Sequence, residues 1–212
     1  MKLKSKFNRL QKEQRLYQLE IPLIGLTGGI ASGKSTVSAM LKLKGWPVID
    51  ADQLVKEIYS RPETFDFIKR EFPEVISNGT IQFPLLRQKV FLNHEVKAMV
   101  ENFIYQALPS TFKAAFNKLH DPQVVIYDVP LLFEKSLEDQ FDLTVLVYAP
   151  RKVQRARLMN RDGQLEDMAN NILNQQMDIE DKKLKAQFII DNSQTEAELA
   201  EEVQQFLRQI SQ

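Results

Sequence analysis

One short run of residues combines glycines, a lysine and a hydroxyl group at a spacing that suits phosphate chemistry. Residues 28–35 have the sequence Gly-Gly-Ile-Ala-Ser-Gly-Lys-Ser, which matches the P-loop pattern G-x-x-x-x-G-K-[ST]. Glycines let a backbone curl so that successive N–H groups point at phosphate oxygens. Lys34 adds a positive charge for the β- and γ-phosphates, Ser35 offers a hydroxyl to Mg²⁺, and Thr36 can reach the α-phosphate. The pattern therefore predicts binding of a nucleoside triphosphate.

Two aspartates follow apolar segments and could act at the same phosphates. Asp52 comes shortly after the apolar run 46–49, and an acid near a γ-phosphate can orient or deprotonate an attacking hydroxyl. Asp128 ends the apolar run 124–127, a position from which an acid can hold Mg²⁺. Each also has an ordinary interpretation, because Asp52 could cap the next helix and Asp128 could form a turn before Pro130.

A basic stretch further along the chain could supply charge to a transferring phosphoryl group. Gln154, Arg157 and Arg161 recur at i, i+3 and i+7 and so share one helical face. Such a face is usually solvated, but in a phosphoryl-transfer enzyme it could belong to a lid that closes over the site. Arg161 is the first candidate, because Asp162 and Gly163 suggest a turn at the tip of that lid.

The order of apolar and helical segments predicts the scaffold that must position these groups. We expect strands at 21–26, 46–49, 123–127, 143–148 and 188–190, and helices at 34–44, 53–59, 151–186 and 195–210. A βαβ order requires a parallel sheet with right-handed crossovers, which we expect to place the second strand beside the first. If the chain is extended between Asp50 and Asp52, these two side chains share a face. The predicted fold is α/β, a three-layer α/β/α P-loop NTPase core with a parallel five-stranded sheet.

An interruption of the strand pattern predicts how the chain is divided. Apolar residues recur at helical spacing between 61 and 120, and Asn78-Gly79 is a turn signal. We interpret 61–120 as a helical insertion, 21–60 and 121–212 as the P-loop core, and about 151–180 as the lid. Residues 1–20 are rich in Lys and Arg, and we expect them to be a basic extension that forms a solvated helix or a frayed tail.

The composition limits the classes of partner. The 212 residues carry 28 basic and 28 acidic side chains, so no overall field favours nucleic acid or an anionic membrane. The absence of cysteine excludes disulfides, zinc thiolates and a thiol nucleophile. No apolar run approaches the roughly 18 residues that span a bilayer. We predict a cytoplasmic protein that acts on a small molecule, with no nucleic-acid or membrane partner, as a monomer or small homo-oligomer.

Longer sequence motifs indicate which class of P-loop protein this chain belongs to. The chain lacks the guanine-specific pattern Asn-Lys-x-Asp, since the nearest match, 117–120, has its acid one place late at Asp121. It instead resembles the dephospho-coenzyme A kinase family from about Leu23 to Ser193. The strings that carry the resemblance are 26–36, 48–52 (Val-Ile-Asp-Ala-Asp), 128–134 (Asp-Val-Pro-Leu-Leu-Phe-Glu), 154–162 and 190–193.

The resemblance implies a reaction and the residues that carry it. The family transfers a phosphoryl group from ATP to the ribose 3′-hydroxyl of dephospho-coenzyme A, in the last step of coenzyme A synthesis. It implies catalytic roles for Asp52, Lys34 and Arg161, acceptor binding by Asp52 and Arg87, and Mg²⁺ binding by Ser35 and Asp128. The residues predicted to bind ATP are Gly29, Ala31, Ser32, Gly33, Lys34, Ser35, Thr36, Arg157 and Asn192.

Some positions depart from the family pattern and keep alternatives open. The family usually has His-Pro where this chain has Glu101-Asn102, and a glycine where it has Ala31. The first change falls in the expected acceptor domain. One alternative is therefore a kinase for another nucleoside or nucleotide, and a second is an ATP-binding paralogue with weak activity.

Overall fold

The computed structural model describes residues 2–163 and 165–212. The side chains of these residues are described too, except that of Asp162. Expectations that concern Met1, in the extension, and Gln164, in the lid, lie outside the described residues. The seven strands of the described residues are β1 (Leu23–Gly28), β2 (Val48–Asp50), β3 (Ile76–Ser77), β4 (Thr80–Ile81), β5 (Val125–Asp128), β6 (Leu143–Tyr148) and β7 (Phe188–Asp191). The α-helices are α1 (Lys34–Leu43), α2 (Ala51–Tyr59), α3 (Pro62–Glu71), α4 (Phe83–Leu92), α5 (His94–Phe116), α6 (Arg151–Asp162), α7 (Glu166–Leu173), α8 (Ile179–Lys185) and α9 (Glu196–Ile210).

The chain divides into two compact units. The sheet unit contains the residues up to Asp50 and from Leu119 onward, and the helical unit is Ala51–Lys118. In the sheet unit, five parallel strands pair in the order β2-β5-β1-β6-β7. Every residue of β1, β5 and β6 is buried, as expected for a parallel sheet covered on both faces. The predicted three-layer α/β core with a parallel five-stranded sheet is confirmed.

The expected neighbour of β1 is wrong. The structure places β5, not β2, beside β1, and β2 lies at the edge of the sheet. The crossover rule fixes the handedness of a connection but not how many strands it passes. The fully buried β5 takes the central position, whereas the short and partly exposed β2 tolerates the edge.

Helices cover the two faces of the sheet. On one face, α1 and α9 pack against each other around a core that includes Val145 and Val147 of β6. Leu146 and Tyr148 point to the other face, where Ile179 of α8 packs on them. The expected continuous helical region 151–186 is instead divided into α6, α7 and α8. Gly163, at the end of α6, has a φ of 62°, a left-handed conformation that stops a helix.

The N-terminal segment is not a frayed tail or a solvated helix. It forms three short 3₁₀ turns, and it buries Leu3, Arg15, Leu16 and Leu19. The carboxylate of Asp142 holds it, because it accepts hydrogen bonds from Nε of Arg15 at 2.6 Å and from the backbone N–H groups of residues 9 and 10 at 2.9 Å each. Its basic residues suggested solvation, but Arg15 has a buried partner 127 positions away that no local pattern reveals.

The helical unit contains α2 to α5 and one small hairpin. The sequence predicted no strands here, but β3 and β4 pair antiparallel around the predicted turn at Asn78-Gly79. Both turn residues have positive φ, 49° and 72°, the geometry of a tight hairpin turn. Two residues per strand are too few to produce an alternating pattern, which is why the strands were missed. An apolar cluster that includes Ile58, Ile68 and Ile104 fills the interior of this unit. Across the described residues, no helix combines the length and apolar character needed to cross a membrane.

Candidate active site

The P-loop lies between β1 and α1 at the carboxyl edge of the sheet. β1 ends at Gly28, and α1 begins at Lys34. Gly33 has a φ of 91°, and a Cβ atom there would come within 1.9 Å of Nδ2 of Asn192, so only glycine fits. Ala31 is also left-handed, with a φ of 58°. The amides of a loop in this conformation, followed by a helix N-terminus, favour an anion.

A buried ion pair lies at the base of the loop. Nζ of Lys34 contacts the carboxylate of Asp128, which is 1% exposed. Burial raises the pKa of Asp128 above its ordinary value, and the ammonium group of Lys34 opposes that rise. The structure thus brings together two residues that the sequence predicted separately. Ser35 follows Lys34 in the first turn of α1, where it is exposed.

The sequence analysis did not assign Asp50 to the site. In the sheet, Asp50 of β2 is the register partner of Asp128 of β5, and its charge further raises the pKa of Asp128. The signal that could have found it is that both acids end apolar strands, but using it required the true strand order. The argument that Asp50 and Asp52 share a face of an extended segment is wrong, because α2 begins at Ala51.

Residues from α6 and the end of β7 support the second half of the P-loop. Nη1 of Arg157 lies 3.4 Å from the backbone oxygens of Ala31 and Ser32, and its Nη2 donates to the backbone oxygen of Asn192 at 2.8 Å. Nδ2 of Asn192 in turn donates to the oxygen of Ser32 at 2.8 Å. A cavity of about 400 Å³ opens beside them, lined by Gly33, Thr36, Arg157, Asn192, Gln194, Glu196 and Leu199. Predicted ATP-binding residues from three separate parts of the chain therefore meet here.

The remaining predicted residues of the sheet unit lie further apart. Gly29 lies in the first half of the loop, where a Cβ atom would come within 2.7 Å of Nε2 of Gln154. Arg161 lies in the last turn of α6, one turn beyond Arg157, and is exposed. Of the two arginines, Arg157 makes the P-loop contacts described above.

A second cavity, of about 640 Å³, lies within the helical unit. One wall is a face of α2 and the other a face of α4, each with residues at i, i+3, i+4 and i+7. The lining residues are Asp52, Val55, Lys56, Tyr59, Ser60, Phe83, Leu86, Arg87 and Val90. The two predicted acceptor-binding residues, Asp52 and Arg87, therefore line one cavity.

The cavity combines apolar walls with a few charged groups. Asp52 lies in the first turn of α2, where its charge suits the positive end of the helix. The rings of Tyr59 and Phe83 meet edge to face with their centroids 5.4 Å apart. Burial raises the pKa of Tyr59 above its ordinary value. Sequence reasoning missed Lys56 and Tyr59, although both continue the helical spacing that starts at Asp52.

Comparison with known proteins identifies the family. The family model described as dephospho-CoA kinase matches residues 22–198, which is most of the chain. The chain belongs to the dephospho-CoA kinase family. The resemblance inferred from the sequence is therefore confirmed, and the family consists of kinases that transfer a phosphoryl group to an alcohol. The N-terminal segment, whose Arg9, Leu10 and Arg15 bond to Asp142, precedes the matched region.

Individual members of the dephospho-CoA kinase family match over nearly their whole length. A dephospho-CoA kinase of Fusobacterium nucleatum is 35% identical over 194 residues, which cover 91% of this chain and all of the relative. One from Oryza sativa subsp. japonica is also 35% identical, over 90% of this chain and 85% of the relative. A dephospho-CoA kinase structure from Campylobacter jejuni is 26% identical, with a TM-score of 0.64 over 88% of this chain and 96% of the other.

The departure from the family pattern at Glu101-Asn102 falls inside α5. The helix runs unbroken through both residues, and the next one, Phe103, stacks on Phe67 with ring centroids 4.1 Å apart. Glu101 is partly buried and Asn102 is exposed, so the helix accepts both residues without a break.

Proposed function

We propose that this chain transfers the γ-phosphoryl group of ATP to the 3′-hydroxyl of the ribose of dephospho-CoA, which gives CoA. The observation that carries the proposal is the P-loop whose Lys34 pairs with the buried Asp128 at the carboxyl edge of the central strands. Family membership supports the same reaction. The finer assignments below concern which residues perform each task.

ATP binding is assigned to the P-loop and to the residues that support it. The backbone N–H groups of Ala31 and of residues 33–35 would surround the phosphates, and Lys34 would move its charge from Asp128 to the β- and γ-phosphates. The cavity beside Gly33, lined by Arg157 and Asn192, suits the nucleoside end of ATP because it adjoins the loop.

A magnesium ion fits the donor groups at the base of the loop. Ser35 offers a hydroxyl and Asp128 a buried carboxylate, and Mg²⁺ typically takes one or two protein oxygens together with substrate phosphates. The described residues contain no cluster of three or more His, Cys, Asp or Glu side chains that could hold a metal alone. The ion would neutralise charge on the β- and γ-phosphates.

Acceptor binding is assigned to the cavity of the helical unit. Arg87 would bind a phosphate of dephospho-CoA, and the apolar walls around Tyr59 and Phe83 would receive its less polar parts. Asp52 would take the proton of the ribose 3′-hydroxyl as its oxygen bonds to the γ-phosphorus. The bond from that phosphorus to the oxygen bridging it to the β-phosphate breaks, and ADP leaves with the electron pair.

The lid is assigned to the region 151–180. Its Arg161, at the end of α6, would approach the transferring group when the lid closes, and an arginine in that role contributes roughly 10³–10⁵ in rate. The insertion 61–120 as acceptor domain, the cytoplasmic location and the monomeric or small homo-oligomeric state remain predictions from the sequence.

One assay tests the reaction and separates it from the alternatives. The purified full-length chain is given ATP and Mg²⁺ with dephospho-CoA, adenosine or a nucleoside monophosphate, and ADP formation is followed. Of the three acceptors, we expect only dephospho-CoA to be phosphorylated. Mass spectrometry should identify the product as CoA. CoA itself is the matched control, because its 3′-oxygen is already phosphorylated and should give no turnover.

The other outcomes favour the alternatives. Turnover that is faster with adenosine or the nucleoside monophosphate would indicate a kinase for another nucleoside or nucleotide. ATP binding with no turnover on any acceptor would indicate a paralogue that has lost activity.

A further inference from the structure

The segment between α7 and α8 reaches the P-loop through one side chain. Oε1 of Gln176 accepts a hydrogen bond from the backbone N–H of Ile30 at 3.0 Å. Ile30 lies in the first half of the loop, between Gly29 and Ala31, and is partly buried. This amide is therefore held by the protein itself, while the amides that follow it are the ones assigned to the phosphates.

The position of Gln176 is fixed by a buried charge. The N–H of the next residue, Met177, donates to Oε1 of Glu134 at 3.2 Å. Nζ of Lys182, on α8, lies 2.7 Å from the same oxygen, and the Lys182 side chain is 0% exposed. Glu134 belongs to the segment that follows β5 and Asp128. The segment that carries Gln176 is thus anchored to the segment that follows β5, the strand that ends in the acid paired with Lys34.

A second carboxamide approaches the same part of the loop. Gln154, on α6, is 3% exposed, and its Nε2 atom lies so near Gly29 that a Cβ atom there would come within 2.7 Å. The Cδ1 atom of Ile179 would lie 3.2 Å from the same Cβ position. The Gly29 position is therefore closely packed, and the adjacent Ile30 is bonded through its N–H to Gln176.

We propose that Gln176 is a positioning residue for ATP. By holding the N–H of Ile30, its carboxamide sets the path of the first half of the loop and so aims the N–H groups of Ala31 and of residues 33–35 at the phosphates. The inference rests on the proposed function only in taking ATP as the ligand of the loop. Gln176 itself contacts the loop backbone, so its loss should weaken ATP binding without changing acceptor binding.

Two variants at adjacent glutamines test this. Gln176→Ala removes the acceptor oxygen, and Gln175→Ala is the matched control because Gln175 is an exposed neighbour of the same type. Binding of Mg-ATP is measured by calorimetry without acceptor, and KM values are measured for both substrates. We expect Gln176→Ala to weaken Mg-ATP binding about tenfold, as for the loss of one partly buried hydrogen bond, and Gln175→Ala to resemble the wild type. The KM for the acceptor should stay within about twofold in both variants.

A spectroscopic readout separates positioning from a general loss of structure. In ¹H–¹⁵N spectra, Gln176→Ala should shift the amide resonance of Ile30 upfield and leave the amides of β6 in place. Gln176→Glu keeps an acceptor oxygen, so it should restore the Ile30 resonance to near its wild-type position. An Ile30 resonance that does not move in Gln176→Ala would overturn the proposal, as would unchanged Mg-ATP affinity.

The failure of this inference can be told from the failure of the proposed function. A wild-type chain that binds Mg-ATP but does not phosphorylate dephospho-CoA would contradict only the proposed function. A wild-type chain that binds no Mg-ATP would contradict both. An equal rise in the KM of both substrates for Gln176→Ala would show a structural defect and overturn the positioning role.

Discussion

The sheet unit and the helical unit place charged groups in different surroundings. In the sheet unit, Asp128 and Asp142 are almost fully buried, and each has a cationic partner, Lys34 or Arg15. In the helical unit, Asp52 and the other charged residues of the cavity are exposed. The charged groups of the sheet unit are thus desolvated by burial, whereas those of the cavity in the helical unit are solvated.

This difference suggests a division of work. Buried charges suit a phosphate chain whose geometry is always the same, because electrostatic interactions are stronger where water is excluded. A wide cavity with apolar walls and a few charged groups suits a larger and more variable acceptor. Substitutions in the sheet unit should therefore change stability or ATP binding, and those in the helical unit should change acceptor binding or turnover.

The substitution Asp52→Asn should have the largest effect, and it should act on turnover, as the division predicts for the helical unit. It keeps the size of the side chain but removes the base, so we expect kcat to fall roughly 10²–10⁴-fold while Mg-ATP affinity stays unchanged. The measurement is steady-state ADP release together with calorimetric ATP titration. Asp66→Asn is the control, since Asp66 is an exposed aspartate of the same unit. A kcat near the wild-type value would show that Asp52 is not the base.

The buried pair of Arg15 and Asp142 should dominate the stability of the sheet unit. Arg15→Met leaves a buried carboxylate without its cation, which should lower the free energy of unfolding by about 3–5 kcal/mol at pH 7. Urea unfolding followed by circular dichroism checks this. Lys12→Met is the control, because the Lys12–Glu20 pair is exposed, and its loss should change stability little.

The same pair predicts a dependence on pH. Burial by itself would raise the pKa of Asp142, but the hydrogen bonds from Arg15 and from backbone N–H groups outweigh it and lower the pKa below its ordinary value. The stability that this carboxylate contributes is therefore present above the unfolded pKa and lost as pH falls through the lower folded pKa. The difference between wild type and Arg15→Met should shrink as the pH is lowered, and a constant difference would contradict the assignment.

The two units also differ in how far the sequence predicts them. The P-loop was predictable because its chemistry is carried by neighbouring residues, and Asp128 because it ends an apolar run. The pairing of Asp50 with Asp128 was not, since it depends on which strand lies between β2 and β1. Nor was the burial of Arg15, whose partner is distant in the chain.

In the helical unit, the sequence predicted the helices but not the cavity that α2 and α4 line. The cavity is formed by residues at regular helical spacing on α2 and α4, and this spacing is also that of an ordinary apolar face. Arg87 was found through a family resemblance, and Lys56 was missed because nothing local distinguishes it from a solvated lysine. A site built from two helix faces becomes visible only when the packing of those helices is known.

Arg87→Ala tests the division from the side of the helical unit. Loss of a charge-assisted hydrogen bond to a phosphate of the acceptor should raise the KM for dephospho-CoA about tenfold. Mg-ATP affinity should not change, and initial-rate kinetics with each substrate varied in turn provide the measurement. Arg70→Ala is the control, because Arg70 belongs to the same unit and its side chain is 71% exposed. If Arg87→Ala weakened ATP and acceptor equally, the cavity would not be specific to the acceptor.

Asn192→Ala tests whether a residue of the sheet unit affects ATP binding and not acceptor binding. It should have the smallest effect of these substitutions. Asn192 donates one hydrogen bond to the loop, from Nδ2 to the backbone oxygen of Ser32 at 2.8 Å, and Arg157 still reaches that oxygen and the one before it. One of several supports is lost, so Mg-ATP affinity should fall only about threefold to fivefold, with the KM for the acceptor unchanged. Asn171→Ala, at an exposed position on α7, is the control for calorimetry. A larger loss for the acceptor than for ATP would contradict the division, because Asn192 would then influence the reaction through something other than the phosphate loop.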